Sequence, residues 1–191
     1  MSDRRLRLGI DLDGVVADFT GGWIAAYNRD FGASLTPEQV VTWQAMVDLT
    51  HFETAGQFWS WASRVHTAHG GGSLFRHLQP YPDAVETLVS LAERHHVVII
   101  TTKPRWAVHD TYAWIAEHRI PTREIHVIRD KWRVDCDVYL EDRIHTLETL
   151  AAHHPEAIVC RYVRAWNTAV PGTVDVTSWP GFAELVASLA A

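Results

Sequence analysis

At 191 residues, with 47% hydrophobic and 21% charged side chains, the chain can bury a sizeable core, as one domain plus an insertion or as two small lobes. A formal charge of −6 argues against a general nucleic-acid-binding surface, leaving a local basic pocket open, and no apolar stretch is long enough to cross a bilayer. Cys136 and Cys160 are the only cysteines and form no Cys-x-x-Cys, so neither a zinc centre nor a disulfide framework is supported. Met1-Ser2-Asp3-Arg4-Arg5 is not followed by a signal-type apolar region, and a reduced, cytoplasmic protein is the expectation. Oligomeric state, a homodimer included, is left open.

The run Leu6-Arg7-Leu8-Gly9-Ile10 reads as a buried strand that ends in Asp11-Leu12-Asp13-Gly14. Side chains alternate along a strand, so Asp11 and Asp13 share one side if the extended geometry persists. Two neighbouring buried carboxylates need a cation, and Mg²⁺ suits an all-oxygen donor set. A turn or helix-capping pair is the competing reading of these acids. From Ala17 to about Gln79 the chain turns helical and aromatic. Phe19, Trp23, Tyr27 and Phe31 recur every four residues as a helical stripe, and Thr36-Pro37-Glu38-Gln39 carries a helix-start pattern. His69-Gly70-Gly71-Gly72-Ser73 lacks the Gly-Lys-Ser/Thr ending of a phosphate loop and reads as a hinge or disordered turn.

Strand and helix then alternate. A helix is expected near 83–94, a strand at Val97–Ile100 ending in Thr101-Thr102, and a helix near 106–118. A strand at Ile125–Ile128 leads into Arg129-Asp130-Lys131. The next, Asp137–Leu140, ends in Glu141-Asp142 and is followed by a helix near 144–152. Ala157–Cys160 is expected as the last strand, and an amphipathic helix with Phe182, Leu185, Val186 and Leu189 closes the chain. This order predicts an α/β, doubly wound parallel sheet with a small helical cap inserted after the first strand: core 1–17 and 80–191, cap 18–79.

In a parallel sheet the polar strand ends meet at one edge. Acids for a metal, with hydroxyls and a lysine for anionic oxygens, are the parts that phosphoryl transfer requires. Lys103 and Lys131 are the only lysines, against fifteen arginines, and both follow strand-like runs. The order Asp-x-Asp-Gly-Val, apolar-Thr-Thr, Lys, apolar-acid-Asp resembles the haloacid dehalogenase (HAD) superfamily over nearly the whole chain. Asp11-Leu12-Asp13-Gly14-Val15-Val16-Ala17-Asp18-Phe19, Arg129-Asp130-Lys131 and Leu140-Glu141-Asp142-Arg143 are similar to motifs of the 5′(3′)-deoxyribonucleotidase family, with Asn167 and Ser178-Trp179 as further matches.

That resemblance implies an aspartyl-phosphate on Asp11 and acid/base work by Asp13. It implies Mg²⁺ held by Asp11, the Asp13 carbonyl and Asp142, and phosphoryl oxygens held by Thr101 and Lys131 with Thr102 in the same loop. A second Asp at position 13 favours phosphate esters over carbon–halogen bonds, and a lysine-free cap excludes a cap Schiff base. Phe19 and Trp43 match places where the family stacks a base; a helical aromatic stripe is more often a core feature. Trp59 and Trp61 are expected in cap packing, and the histidines on the surface. Glu141 stands where the family has Asp, and its extra methylene adds about 1.5 Å of reach beside metal-bound water. Lys103 either brings a second positive charge to substrate or caps the following helix. The expected substrate is a nucleoside monophosphate. A sugar or specialised-metabolite phosphate is the alternative, and an inactive binding module the alternative of another class.

Overall fold

The computed structural model describes residues 4–65 and 71–191. Short apolar runs form six parallel strands: β1 (Arg7–Ile10), β2 (His96–Thr101), β3 (Glu124–Val127), β4 (Val138–Glu141), β5 (Ile158–Tyr162) and β6 (Thr173–Val176). Their order is β3-β2-β1-β4-β5-β6, so the chain reverses its direction of travel across the sheet between β1 and β4. The crevice beyond the carboxyl ends at such a reversal is where open α/β sheets bind ligands.

β6 corrects the sequence expectation that the fifth strand is the last. It pairs in register with β5, Cys160 opposite Val174 and Tyr162 opposite Val176. As an edge strand it buries only Val176 among its four residues, so its apolar signal is weak.

Alternation in the inner strands sorts the core into two layers. Leu8, Ile10, Ile99 and Leu140 pack with Leu88 of α4 (Ala84–Arg94), Trp114 of α5 (Val108–Glu117) and Phe182 of α7 (Trp179–Ala190). Ile100, Tyr139 and Val159 face the other way, onto Leu147 and Leu150 of α6 (Ile144–His153). Gly9 belongs to that second side. A Cβ there would meet Ile100 Cδ1 and Tyr139 Cδ1, both at 2.9 Å, because neighbours on β2 and β4 already fill the space.

Between β1 and β2 lies the helical insertion. α1 (Phe19–Phe31) starts on Asp18, whose Oδ1 accepts from the Gly21 N–H at 2.9 Å, and stops on Gly32 at φ +64°. Phe19, Trp23 and Tyr27 of its aromatic stripe are buried, while Phe31 at the end is 44% exposed. The helix start expected at Thr36-Pro37 yields a single 3-10 turn, Pro37–Gln39, in which Gln39 Oε1 accepts from the Thr36 N–H. α2 (Ala45–Asp48) and α3 (Ala55–Ala62) follow. His66, His69 and Gly70 lie outside the described residues, while the end of the glycine-rich break is tied down, the buried Ser73 donating its N–H to Asp110 Oδ2 at 2.7 Å. The outgoing and returning connections run side by side: Asp18 N–H donates to Gln79 O and Tyr81 N–H to Val16 O, each at 2.8 Å, around an Ala17–Pro80 bridge. Among the described residues no helix is long and apolar enough to cross a membrane.

At the opposite edge of the sheet Arg7 reaches across β2 to Glu124 of β3 with two hydrogen bonds of 3.0 Å. Those bonds, with one from His126, pull the Glu124 carboxyl down to about 2 from 4.5. A carboxyl depressed in the folded state stabilises the protein above its unfolded value and loses that contribution as pH falls through its folded one. Glu124→Gln should therefore be less stable at neutral pH, by under about 1 kcal/mol because the pair is part-exposed. The gap to wild type should close between about pH 4.5 and about pH 2; urea midpoints of both proteins measured down this range check it.

Candidate active site

One residue past β1 the Asp11 N–H still donates to Leu140 O at 3.1 Å, so the ladder carries Asp11 out between β2 and β4. Its Oδ1 lies 2.8 Å from Lys131 Nζ, which stands in the turn Lys131–Arg133 after β3 and also donates to Glu141 Oε2 at 2.6 Å. Glu141 Oε1 folds back to accept the N–H groups of Asp142 and Arg143, at 3.1 and 3.0 Å. The extra methylene that distinguishes Glu from Asp thus brackets its own loop.

Asp142 is held from the loop after β5. Trp166 Nε1 donates to its Oδ2 at 2.8 Å and Asn167 Nδ2 to its carbonyl at 2.7 Å. Arg164, two residues earlier, donates from Nε to Gly14 O at 2.7 Å, its guanidinium between the rings of Tyr81 and Tyr162. One loop therefore fixes both the Asp-x-Asp-Gly turn and the end of β4.

Ligand oxygens of Asp11, Glu141 and Asp142, all buried, lie within 4.8 Å of one another. Burial, then the charge of Asp11, pushes Glu141 up to about 7. Burial, then Glu141 and Asp11, raises Asp142 well above the ordinary range. Lys131 is held above its usual value: burial opposes its charge, but Asp11 and Glu141 outweigh that. On the other side of Asp11, burial raises the Asp13 carboxyl against the pull of Lys103, and burial lowers Lys103 against the pull of Asp13. Four carboxyl groups (Asp11, Asp13, Glu141 and Asp142) thus face two ammonium groups (Lys103 and Lys131) on one cavity floor. The compact set of buried hard oxygens on Asp11, Glu141 and Asp142 fits a divalent cation such as Mg²⁺.

The cavity above this floor measures about 510 Å³, and all ten residues singled out in the sequence border it: Asp11, Asp13, Thr101, Thr102, Lys103, Lys131, Glu141, Asp142, Phe19 and Trp43. They differ in what they have left to offer. The Thr101 hydroxyl is buried with no hydrogen-bond partner. The Thr102 hydroxyl donates to Ile128 O at 2.8 Å, leaving no proton there for a phosphate. Lys103 neither caps a helix nor reaches into the open cavity with a free ammonium: it bonds Asp13.

Trp59, expected to be packing alone, walls the cavity together with Phe75, while Trp61 packs against Tyr27, Phe52 and Phe58. Phe75 stacks on both Phe19 and Trp59, with centroids 5.8 and 6.2 Å away. Of the histidines expected at the surface, His95 is buried and His154 half-buried, whereas His51 is exposed as expected and still has a partner. His95 is buried with Nδ1 3.3 Å from the Leu6 N–H, His51 bonds Tyr27 Oη at 2.9 Å, and His154 bonds Trp132 O at 2.7 Å. Ser178 caps α7, accepting from the Gly181 N–H, and Trp179 is buried beneath it.

The family described as 5′ nucleotidase, deoxy (pyrimidine), cytosolic type C protein matches residues 4–191. This chain belongs to that family. Relatives include the mouse mitochondrial 5′(3′)-deoxyribonucleotidase, 28% identical over 153 residues, which are 74% of this chain and 66% of that protein. The human cytosolic-type 5′(3′)-deoxyribonucleotidase is 28% identical over 151 residues, 73% of this chain and 72% of its own length. The chain spans slightly under two thirds of the mouse and human mitochondrial proteins, 66% and 63%. Solved structures share the fold. L-2-haloacid dehalogenase from Xanthobacter autotrophicus superposes with a TM-score of 0.65 at 14% identity, covering 98% of this chain and 100% of its own. The HAD-hydrolase YfnB of Bacillus subtilis, bound to magnesium, gives 0.65 at 13% identity, covering 96% and 99%. The nucleotidase family thus joins the HAD-type α/β fold in this chain.

Gly14 sits at φ +77°, where a Cβ would lie 2.2 Å from Asp142 Oδ2. Gly32 shares the left-handed backbone, at φ +64°, but has nothing within 4 Å. Gly32→Ala should cost only the conformational penalty of roughly 1–2 kcal/mol. Gly14→Ala should exceed it, because the Asp142 carboxylate must also move. Urea denaturation of the two variants side by side measures the difference, and equal losses would remove the crowding argument.

Proposed function

We propose that the protein is a Mg²⁺-dependent phosphomonoester hydrolase that cleaves (deoxy)nucleoside monophosphates through a phosphorylated Asp11, in the cytoplasm, with residues 18–79 as a cap over a core of 1–17 and 80–191. The observation that carries this reading is the pairing, in one cavity, of a buried carboxylate bonded to Lys131 with a buried threonine hydroxyl that has no partner. Thr101 Oγ1 and Lys131 Nζ are donors suited to phosphoryl oxygens, beside a carboxylate suited to attack phosphorus.

In this scheme an Asp11 oxygen forms a bond to phosphorus as the ester oxygen departs, and Asp13 gives that oxygen its proton. Asp13, now a carboxylate, takes a proton from water, which attacks the same phosphorus and releases inorganic phosphate and free Asp11. Asp11, Asp142 and the Asp13 carbonyl would hold Mg²⁺, with Glu141 beside them; the ion would supply the Lewis-acid charge that offsets the phosphoryl oxygens. Lys131 steadies Asp11 and Glu141 and offers its remaining donor to the phosphate.

Above the acids, Phe19, Trp43, Trp59 and Phe75 wall the cavity with aromatic carbon, and Trp43, 39% exposed, has the most ring surface left for a leaving group. Stacking a nucleobase on such a face is worth about 1–3 kcal/mol, a gain a sugar phosphate cannot share. With Mg²⁺, phosphate release from nucleoside monophosphates should exceed that from sugar phosphates; the reverse preference would replace the substrate class. Chelating the metal should stop turnover. Asp11→Asn should lower kcat by roughly a thousandfold or more while the urea midpoint stays that of a folded protein, and retained turnover would move the nucleophile elsewhere.

A further inference from the structure

Lys103 makes or breaks no bond in the proposed reaction, yet its side chain is only 1% exposed. It follows Thr101-Thr102 at the end of β2 and turns inward, so that Nζ donates to Oδ1 of Asp13. Phe75 backs the ammonium from the insertion side, its ring centroid 3.9 Å from Nζ. A cation over an aromatic face is stabilised by the ring quadrupole, more so where water is excluded. The ammonium is therefore gripped from two sides, by a carboxylate oxygen and by a ring.

The consequence falls on Asp13. Among the described residues Lys103 provides the one hydrogen bond to its carboxyl group, and no protein donor reaches Oδ2. A carboxyl held by one oxygen keeps the other in a fixed direction, and proton transfer demands that direction be correct to within a fraction of an ångström. Lys131 is committed elsewhere, to Asp11 and Glu141, so the two lysines divide three of the four acids between them, and Asp142 is held by Trp166 and Asn167.

We propose that Lys103 is the positioning residue of the proton donor: it holds Asp13 by Oδ1 so that Oδ2 faces the oxygen of the departing alcohol, and Phe75 keeps the ammonium in place. The proposal rests on the reading of Asp13 as the acid above. It gives Phe75 a double duty, since the ring that walls the leaving-group site also backs the lysine behind the acid.

Leaving groups provide the test. A nucleoside 5′-monophosphate releases an alkoxide-like oxygen that needs a proton, whereas 2,4-dinitrophenyl phosphate releases a phenolate that does not. kcat/KM reports the first bond cleavage for both esters and leaves out the later hydrolysis they share. Lys103→Met should lower kcat/KM on the nucleotide about a hundredfold, within the range of general acid catalysis, and on the dinitrophenyl ester by about tenfold or less. Asp13→Asn should skew the same ratio in the same direction and further, and Lys103→Arg, which keeps the charge and donors, should recover part of the nucleotide rate. Equal losses on both esters would make Lys103 a phosphate-binding or packing residue and overturn the proposal. If Lys103→Met does not fold, Lys103→Gln, whose amide leaves a polar neighbour for Asp13, gives the same comparison. Failure of the wild-type protein to cleave either ester would instead sink the phosphatase reading, and this one with it.

Discussion

Four carboxyl groups converge on one edge of a parallel sheet, and the chain sets only two ammonium groups against them. Taking carboxylates out of water costs several kcal/mol each unless opposite charge or hydrogen bonds replace the water. Much of the local structure reads as a response to that cost. β1 lies between β2 and β4, which brings Asp11 between Thr101 and Glu141. Lys131 bonds Asp11 and Glu141, Lys103 bonds Asp13, and the 164–167 loop supplies neutral donors to Asp142. Burial, and after it the neighbouring carboxylates, still raises the Glu141 and Asp142 carboxyls.

Much of this edge was legible in the sequence because a parallel sheet turns strand ends into neighbours. Asp11, Thr101, Lys131 and Glu141 lie far apart in the chain, but each follows an apolar run, and that alone brings them together. Phe19 and Trp43 were legible through family resemblance. Trp59 was not: its position on α3 says that it packs, and only the tertiary arrangement says that one of its sides faces a cavity. Phe75, from the returning connection, has the same ambiguity. Trp166 and Arg164 carry no spacing signal at all, since their partners are a carboxylate 24 residues earlier and a backbone carbonyl 150 residues earlier. β6 escaped because an edge strand needs little apolar character. Lys103 was visible as an oddity, and its role depended on a side-chain direction that sequence does not encode.

The aromatic wall shows why composition is a poor guide to duty in such a segment. Phe19 belongs at once to the buried stripe of α1 and to the cavity lining. It touches Trp43, Trp59 and Phe75, with centroid distances from 5.8 to 6.3 Å. Core packing and cavity lining are then two faces of one ring cluster. A substitution at Phe19 would disturb the support of three other rings as well as the surface they offer.

The insertion leaves the sheet at Ala17 and rejoins at Pro80, across a single antiparallel bridge. A segment whose two ends are held that close imposes little on the strands outside it. It can lengthen, shorten or be exchanged for another while β1 and β2 keep their register, as tolerated insertions elsewhere in folded proteins do. The cavity wall is thereby largely separated in the chain from the acids beneath it. The coupling that survives runs through Phe75 and Lys103 to Asp13 and through Trp43 and Trp166 to Asp142, threads an exchanged segment would have to re-tie.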